Sequence, residues 1–195
     1  MILPIIAYGD PVLRKKGEDI PQDYPELAQL IANMFDTMYN AHGVGLAAPQ
    51  IGLAVRLFVI DTAPFGEDDE LEKEEQEQLA TFKKAFINPV ILKEEGEEWG
   101  FNEGCLSIPE VREDVYRHER ITIEYYDEQF NKHTDVYDGL IARVIQHEYD
   151  HIEGILFTDR LSALKKRLIN KKLQNIMEGK TRPDYKMKFI AKKGR

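Results

Sequence analysis

"DGLIARVIQHEYDHIEG", residues 138–154, is the stretch on which the reading of this chain turns. At 100° per residue, Leu140, Val144, His147 and His151 fall on one helical face. Asp138 stands where an N-cap belongs, and Gly154 stands just past the end. The stretch therefore predicts a helix carrying two histidines four residues apart, with Glu148 directly after the first. Side chains at that spacing sit one above the other, roughly 5–6 Å apart at Cβ, which suits two bonds to one ion. This is the His-Glu-x-x-His arrangement, and its chemistry is hydrolysis: a metal acidifies a water and the glutamate takes the proton. Two imidazoles do not complete such a site, so a third ligand must come from elsewhere.

One class of zinc proteases places a third histidine six residues after the second, but Phe157 stands there, which excludes that class. Another class uses a downstream glutamate. Past Glu153 the only one is Glu178. Upstream, His118 and His133 lie in charged surroundings and read as surface residues, His42 precedes a glycine turn, and all three read as bystanders. Cys105 sits in "GFNEGCLSIPE", where Gly100 and Gly104 permit an unusual backbone path. A lone cysteine is more often a small buried hydrophobe. A thiolate with two imidazoles is nevertheless a good open tetrahedral set for zinc or another late divalent metal. On these residues alone, Cys105 and Glu178 both stay open.

Outward from the helix, the chain reads as one α+β domain. It has antiparallel strands around the central histidine helix and a C-terminal helix. "PELAQLIANMFDTMYNAHG" has Leu27, Leu30, Ile31, Met34, Phe35 and Met38 at helical spacing. "VRLFVID" (55–61), "AFINPVIL" (85–92) and "ITIEYYD" (121–127) predict strands. A last helix is expected from about Ser162 to Met177, with Leu164, Leu168, Ile169, Leu173, Ile176 and Met177 on its inner side. "GEDDELEKEEQEQ" (66–78) holds eight acids and one lysine, and predicts a mobile, solvated loop. The expected organisation is a domain over 1–180, with an acidic insertion at about 63–82, and a basic tail over 181–195.

The net charge of −9 conceals an asymmetry. Residues 161–195 carry 12 of the 26 Lys+Arg but only two of the 35 acids, so that segment is +10 and the rest is −19. A basic tail on an acidic body suggests an anionic partner, set against a merely solvated C-terminus. No stretch approaches the ~20 apolar residues of a membrane helix, and the N-terminus does not read as a signal peptide. A single cysteine permits no intrachain disulfide and fits a reducing cytosol, so a cytoplasmic location is expected.

Three segments, "GVGLAAPQ" (43–50), "EGCLS" (103–107) and "QHEYDH" (146–151), together resemble the peptide deformylase family in order and approximate spacing. "YGDPVLRKKGE" near the N-terminus is also similar, so the resemblance runs from about Tyr8 to the end of the last helix. The acidic insertion and the tail after about Gly179 depart from it. The resemblance implies a metallohydrolase that removes the formyl group from N-formyl-methionine of new polypeptides. It implies Cys105, His147 and His151 as metal ligands, with Fe(2+) as the usual ion and Zn, Ni or Co as substitutes. It implies Glu148 as general base and then acid, with the side-chain amide of Gln50 and the backbone N–H of Leu106 as oxyanion donors. Val44 and Gly45 on one side, and Gly104 with Leu106 on the other, resemble the segments that hold the peptide extended. Leu140, Val144 and the strand near Ile87 are candidates for the methionine pocket. The basic helix and tail suggest weak contact with ribosomal RNA. A peptidase using Glu178, and a binding module without turnover, are the competing readings.

Overall fold

The computed structural model describes residues 1–190. Five strands form an antiparallel sheet in the order β2 (Gly45–Ala47), β3 (Leu57–Asp61), β4 (Lys83–Cys105), β5 (Ile108–Tyr126) and β6 (Lys132–Asp138). The body of this sheet lies between two helices, α1 (Leu27–Asn40) and α3 (Gly139–Ile152). This explains why "VRLFVID" is apolar throughout. Successive side chains on a strand point to opposite faces. Leu57 and Val59 enter the α1 core, while Phe58 and Ile60 enter the α3 core. Ala85, Phe86 and Ile87 on β4 alternate in the same way. Burying each large apolar side chain contributes about 1.5–3 kcal/mol, so both faces of β3 are stabilised by packing.

The helix carrying the histidines is buried on most of its surface. Asp138 occupies the N-cap position without a side-chain cap bond and pairs with Arg120 at 3.8 Å. Gly154 follows the helix end at φ +74°, where a Cβ would also lie 2.6 Å from the Arg14 carbonyl oxygen.

Three expectations are corrected. The acidic run does not remain a loop: a 3-10 turn at Ala63–Glu67 leads into helix α2 (Lys73–Thr81). Leu79 anchors it by burial, and Thr62 Oγ1 donates to the Leu79 carbonyl at 2.7 Å. Glu74 and Glu75 in its first turn complement the helix dipole. The last helix, α4 (Ala163–Met177), buries only Ile169, Leu173 and Ile176. Leu164 and Leu168 are 66% and 70% exposed. Leu168 lies about 100° round the helix from Ile169 and cannot share its contact.

The third correction concerns the tail. Residues 181–190 return to the body instead of leaving it. Strand β7 (Met187–Lys188) pairs in parallel with β1 (Ile5–Ile6), through Ile5 N–H to the Lys186 carbonyl and Ala7 N–H to the Lys188 carbonyl, both 2.9 Å. Lys192, Lys193 and Arg195 lie outside the described residues.

Candidate active site

Cys105 ends β4 at the tip of the β4–β5 hairpin, and His147 and His151 project from α3 toward it. One ligand atom from each of the three lies within 4.8 Å of the others. Cys105 Sγ is 3.3 Å from His151 Nε2. Glu178 lies elsewhere, exposed at the end of α4 and ion-paired with Lys180. His42, His118 and His133 are not part of the cluster: His42 lies on the cavity lining, 79% exposed, and His118 and His133 are bonded to Gly96 and Asp127.

The surroundings fit a metal. His147 Nδ1 lies 2.9 Å from the buried Glu103 carboxylate. The carboxylate can only accept, so Nδ1 carries the proton and Nε2 keeps its lone pair for an ion. Glu103 also accepts from Arg117 Nε at 2.7 Å, Arg117 Nη2 at 2.9 Å and Arg143 Nη1 at 3.1 Å. Burial opposes its ionisation, but the bonds from His147 and Arg117 hold its pKa well below the usual carboxylate range. Arg117 donates onward to Asp150 at 2.7 Å, and Arg160 closes on the same carboxylate.

Glu148 is 4% exposed, and its Oε2 has no hydrogen-bond partner among the described residues. Burial pushes its pKa up to about 7. Its carboxylate presses on Gly45, where a Cβ would stand 2.3 Å from Oε1, so any larger residue there would push the carboxylate out of place. Gln50, on a 3-10 turn, has a defined orientation: its Oε1 accepts from Ala47 N–H at 2.9 Å. Its amide NH₂ is thereby turned to Cys105 Sγ at 3.5 Å and Ser107 Oγ at 3.3 Å. The bond to the Ser107 oxygen is long and sulfur is a weak acceptor, so the donor stays available to a better one.

A cavity of about 450 Å³ opens above this cluster. Val44, Gly45 and Gln50 line one side, and Gly104, Cys105 and Leu106 the other, with Val144, His147 and Glu148 at the base. Among the described residues β2 pairs only with β3, so its outer edge is open beside the cavity. Leu140 and Ile87 are not brought in. Leu140 stands seven residues before His147, about 10 Å along the helix, and faces a separate cleft with Trp99 and Glu119. Ile87 is fully buried in the α1 core. Phe65 from the acidic insertion, Phe101 and Tyr185 line the cavity without having been anticipated.

A family model described as polypeptide deformylase matches residues 2–167. The chain belongs to the polypeptide deformylase family. It is 68% identical over 193 residues to a peptide deformylase of Flavobacterium psychrophilum, covering 99% of this chain and all of the relative. A crystal structure of a peptide deformylase from Legionella pneumophila superposes with a TM-score of 0.77 at 38% identity, covering 93% of this chain and 99% of that one. The Plasmodium falciparum deformylase in complex with an inhibitor matches with a TM-score of 0.74 at 31% identity, covering 89% and 99%. Deformylases are metalloenzymes that hydrolyse the N-formyl group of new peptides, and this is the activity of the chain. The peptidase and binding-module readings are not favoured.

Sequence reasoning passed over Glu103, although "EGCLS" contains it. A signal was present. On a strand Glu103 and Cys105 share a face, so a cysteine aimed at a metal brings the glutamate to the same interior.

Proposed function

We propose that Cys105, His147 and His151 hold the ion of this deformylase and that Glu148 moves the proton. The observation that carries the reading is the Sγ–N–N cluster beside a buried carboxylate with one oxygen free. The ion, taken to be Fe(2+), supplies a Lewis acid that acidifies a water and polarises a carbonyl. A thiolate–imidazole set also suits Zn, Ni and Co. Glu148 takes a proton from the water that attacks the formyl carbon. Gln50 Nε2 and the Leu106 N–H donate to the oxygen on which charge develops. Glu148 then passes its proton to the leaving amine as the C–N bond breaks, giving formate and a free N-terminus.

The peptide lies extended between the open edge of β2 at Val44–Gly45 and the segment Gly104–Leu106. Backbone pairing there gives affinity without sequence preference. The methionine side chain is placed against Val144 and the neighbouring Phe65 and Phe101. Metal analysis on anaerobically purified protein, coupled to formate release, tests the reading. Cys105→Ala is expected to lose the ion at a concentration where Glu148→Ala retains it. A Cys105→Ala protein with full metal stoichiometry would point to another ligand.

The enzyme is placed in the cytoplasm beside the ribosome, where its substrate emerges. Among the described residues no helix is long and apolar enough to cross a membrane. On α4, Lys165, Lys166 and Lys172 donate to the carbonyls of Asp114, Asp159 and Glu110. Arg167 and Lys171 are exposed, as are Lys186 and Lys188. These four exposed cations are suited to weak, sequence-independent attachment to ribosomal RNA. Co-sedimentation with ribosomes is expected to fall steeply with salt and with neutralisation of these four cations. Equal sedimentation of both proteins, or no salt dependence, would refute the contact.

A further inference from the structure

The turn that carries Leu106 is not shaped by its own residues. Cys105 pairs with Ile108 across only Leu106 and Ser107, so β4 and β5 are joined by a two-residue connection. Two-residue hairpins that match strand twist need positive φ at one or both central positions, hence their preference for Asn-Gly or Gly-X. Leu106 and Ser107 are neither, and neither has positive φ. The register also shifts between Gly104 and Cys105. The two carbonyls of this connection are instead held from outside. Ser107 C=O accepts from the Tyr8 backbone N–H at 2.8 Å. Leu106 C=O accepts from the Tyr185 hydroxyl at 2.7 Å.

Tyr185 belongs to the strap that follows α4. Pro183, Asp184 and Tyr185 all line the cavity, and Asp184 Oδ2 stands 3.8 Å from His42 Nε2. The β1–β7 pairing fixes the strap immediately after Tyr185, and Met187 and Phe189 pack into the core. This segment lies beyond residue 167, where the match to the family model ends.

We propose that Tyr185 is a positioning residue for deformylation: its hydroxyl fixes the Leu106 carbonyl and so holds the Leu106 N–H where it meets the oxyanion. The proposal rests on the reading of Leu106 as a donor. The N–H and C=O of Leu106 flank one Cα, so anchoring the carbonyl limits rotation about that residue. Tyr185 touches neither substrate nor ion in this role. Its ring packs against the α1 core, and a phenylalanine would preserve that packing.

The test is Tyr185→Phe in the full-length, metal-loaded enzyme, alongside Gln50→Leu. Steady-state formate release, metal content, thermal midpoint and amide hydrogen exchange at Leu106 and Ser107 are measured. Exchange is also followed in the metal-free protein. Tyr185→Phe is expected to lower kcat about five- to tenfold, the scale of one net hydrogen bond. KM should stay within about twofold and metal content should not change. Exchange at Leu106 and Ser107 should quicken in both forms. A purely structural role would lower the thermal midpoint and leave kcat of the folded enzyme intact, and that result overturns the proposal. Unchanged kcat and exchange overturn it too. If Gln50→Leu still loses turnover in that case, the oxyanion site stands and the strap alone is dismissed. If Gln50→Leu is also unaffected, the donor reading itself has failed.

Discussion

Glu103→Gln tests the buried charge network beneath the site. The substitution keeps shape and removes one charge. In the native protein this carboxylate accepts four hydrogen bonds, two from Arg117, one from Arg143 and one from His147. Glu103, Arg117 and Arg143 are each 4% exposed or less, so water cannot replace it. Breaking a buried pair by neutralising one partner costs about 3–5 kcal/mol, because the other charge is left uncompensated. Asp150 still pairs with Arg117, and Arg143 keeps the Val115 and Trp99 carbonyls. The loss should therefore fall at the low end, about 3 kcal/mol. His147 loses the acceptor that orders its ring, which should weaken metal binding by about 10–100-fold. Urea unfolding of the metal-free protein across pH checks the first figure, and metal titration checks the second. The sign of the pH effect follows from the shift. Folding lowers the pKa of Glu103, so its contribution is full above the unfolded carboxylate pKa and is lost as pH falls toward the folded value. The gap between wild type and Glu103→Gln should thus be widest at neutral pH and shrink in acid. A variant with wild-type urea midpoint and metal affinity at pH 7 would refute the reasoning.

Glu148→Ala should lower kcat by at least about 10²–10⁴ while the ion stays bound, and near-normal formate release would sink its role. Gln50→Leu should cost about 3 kcal/mol of transition-state stabilisation, seen in kcat with little change in peptide affinity. Its Ala47 bond is lost as well, so a variant crystal structure should show the backbone at 47–50 in place before the loss is assigned to the donor. Gly45→Ala places a methyl group against the Glu148 carboxylate. Turnover should drop sharply with little change in the thermal midpoint, and unaltered kcat would show that the carboxylate can move aside.

The parts of the fold set by side-chain period could be read from the sequence. The apolar stripe from Ile31 to Met38 and the run Leu57–Ile60 each carry a burial pattern that only one element satisfies. The outer part of the β4–β5 hairpin could not be read this way. "KEEGEEWGFNEG" is mostly polar, and the side it does turn inward carries Glu95 and Glu103 as well as Trp99 and Phe101, so it lacks the apolar alternation that marks a half-buried strand. It is held by its ladder from Glu94↔Ile121 to Gly104↔Arg112, and backbone pairing leaves no trace in side-chain hydrophobicity. The two-residue strands β1 and β7 are invisible for the same reason, since a parallel pairing between the chain's two ends has no local signal. The helix over the acidic run could not be read from its composition, because the apolar anchors are few: Leu71 within the run and the buried Leu79 just past it.

The site shows a different division. Its candidate ligands announce themselves by spacing on α3 and by a cysteine that follows a glycine. What brings helix and hairpin into register is buried polar chemistry that hydrophobic pattern does not report. Arg117 on β5 grips Glu103 on β4 with two bonds and Asp150 on α3 with a third. Asp150 lies three residues after His147 and one before His151, so the arginine fixes the helix close to both imidazoles. Glu103 lies two residues before Cys105 on the same strand face, so the same arginine fixes the hairpin close to the thiol. Apolar packing between α3 and the sheet tolerates small slides, because its attraction is non-directional. A bidentate guanidinium–carboxylate pair tolerates far less, because two bonds must stay aligned together. The bidentate pair therefore aligns β5 with β4 at Glu103, and the single Arg117–Asp150 bond, with Arg143 and His147 of α3 also donating to Glu103, ties the helix to that strand and brings the three candidate ligand atoms together.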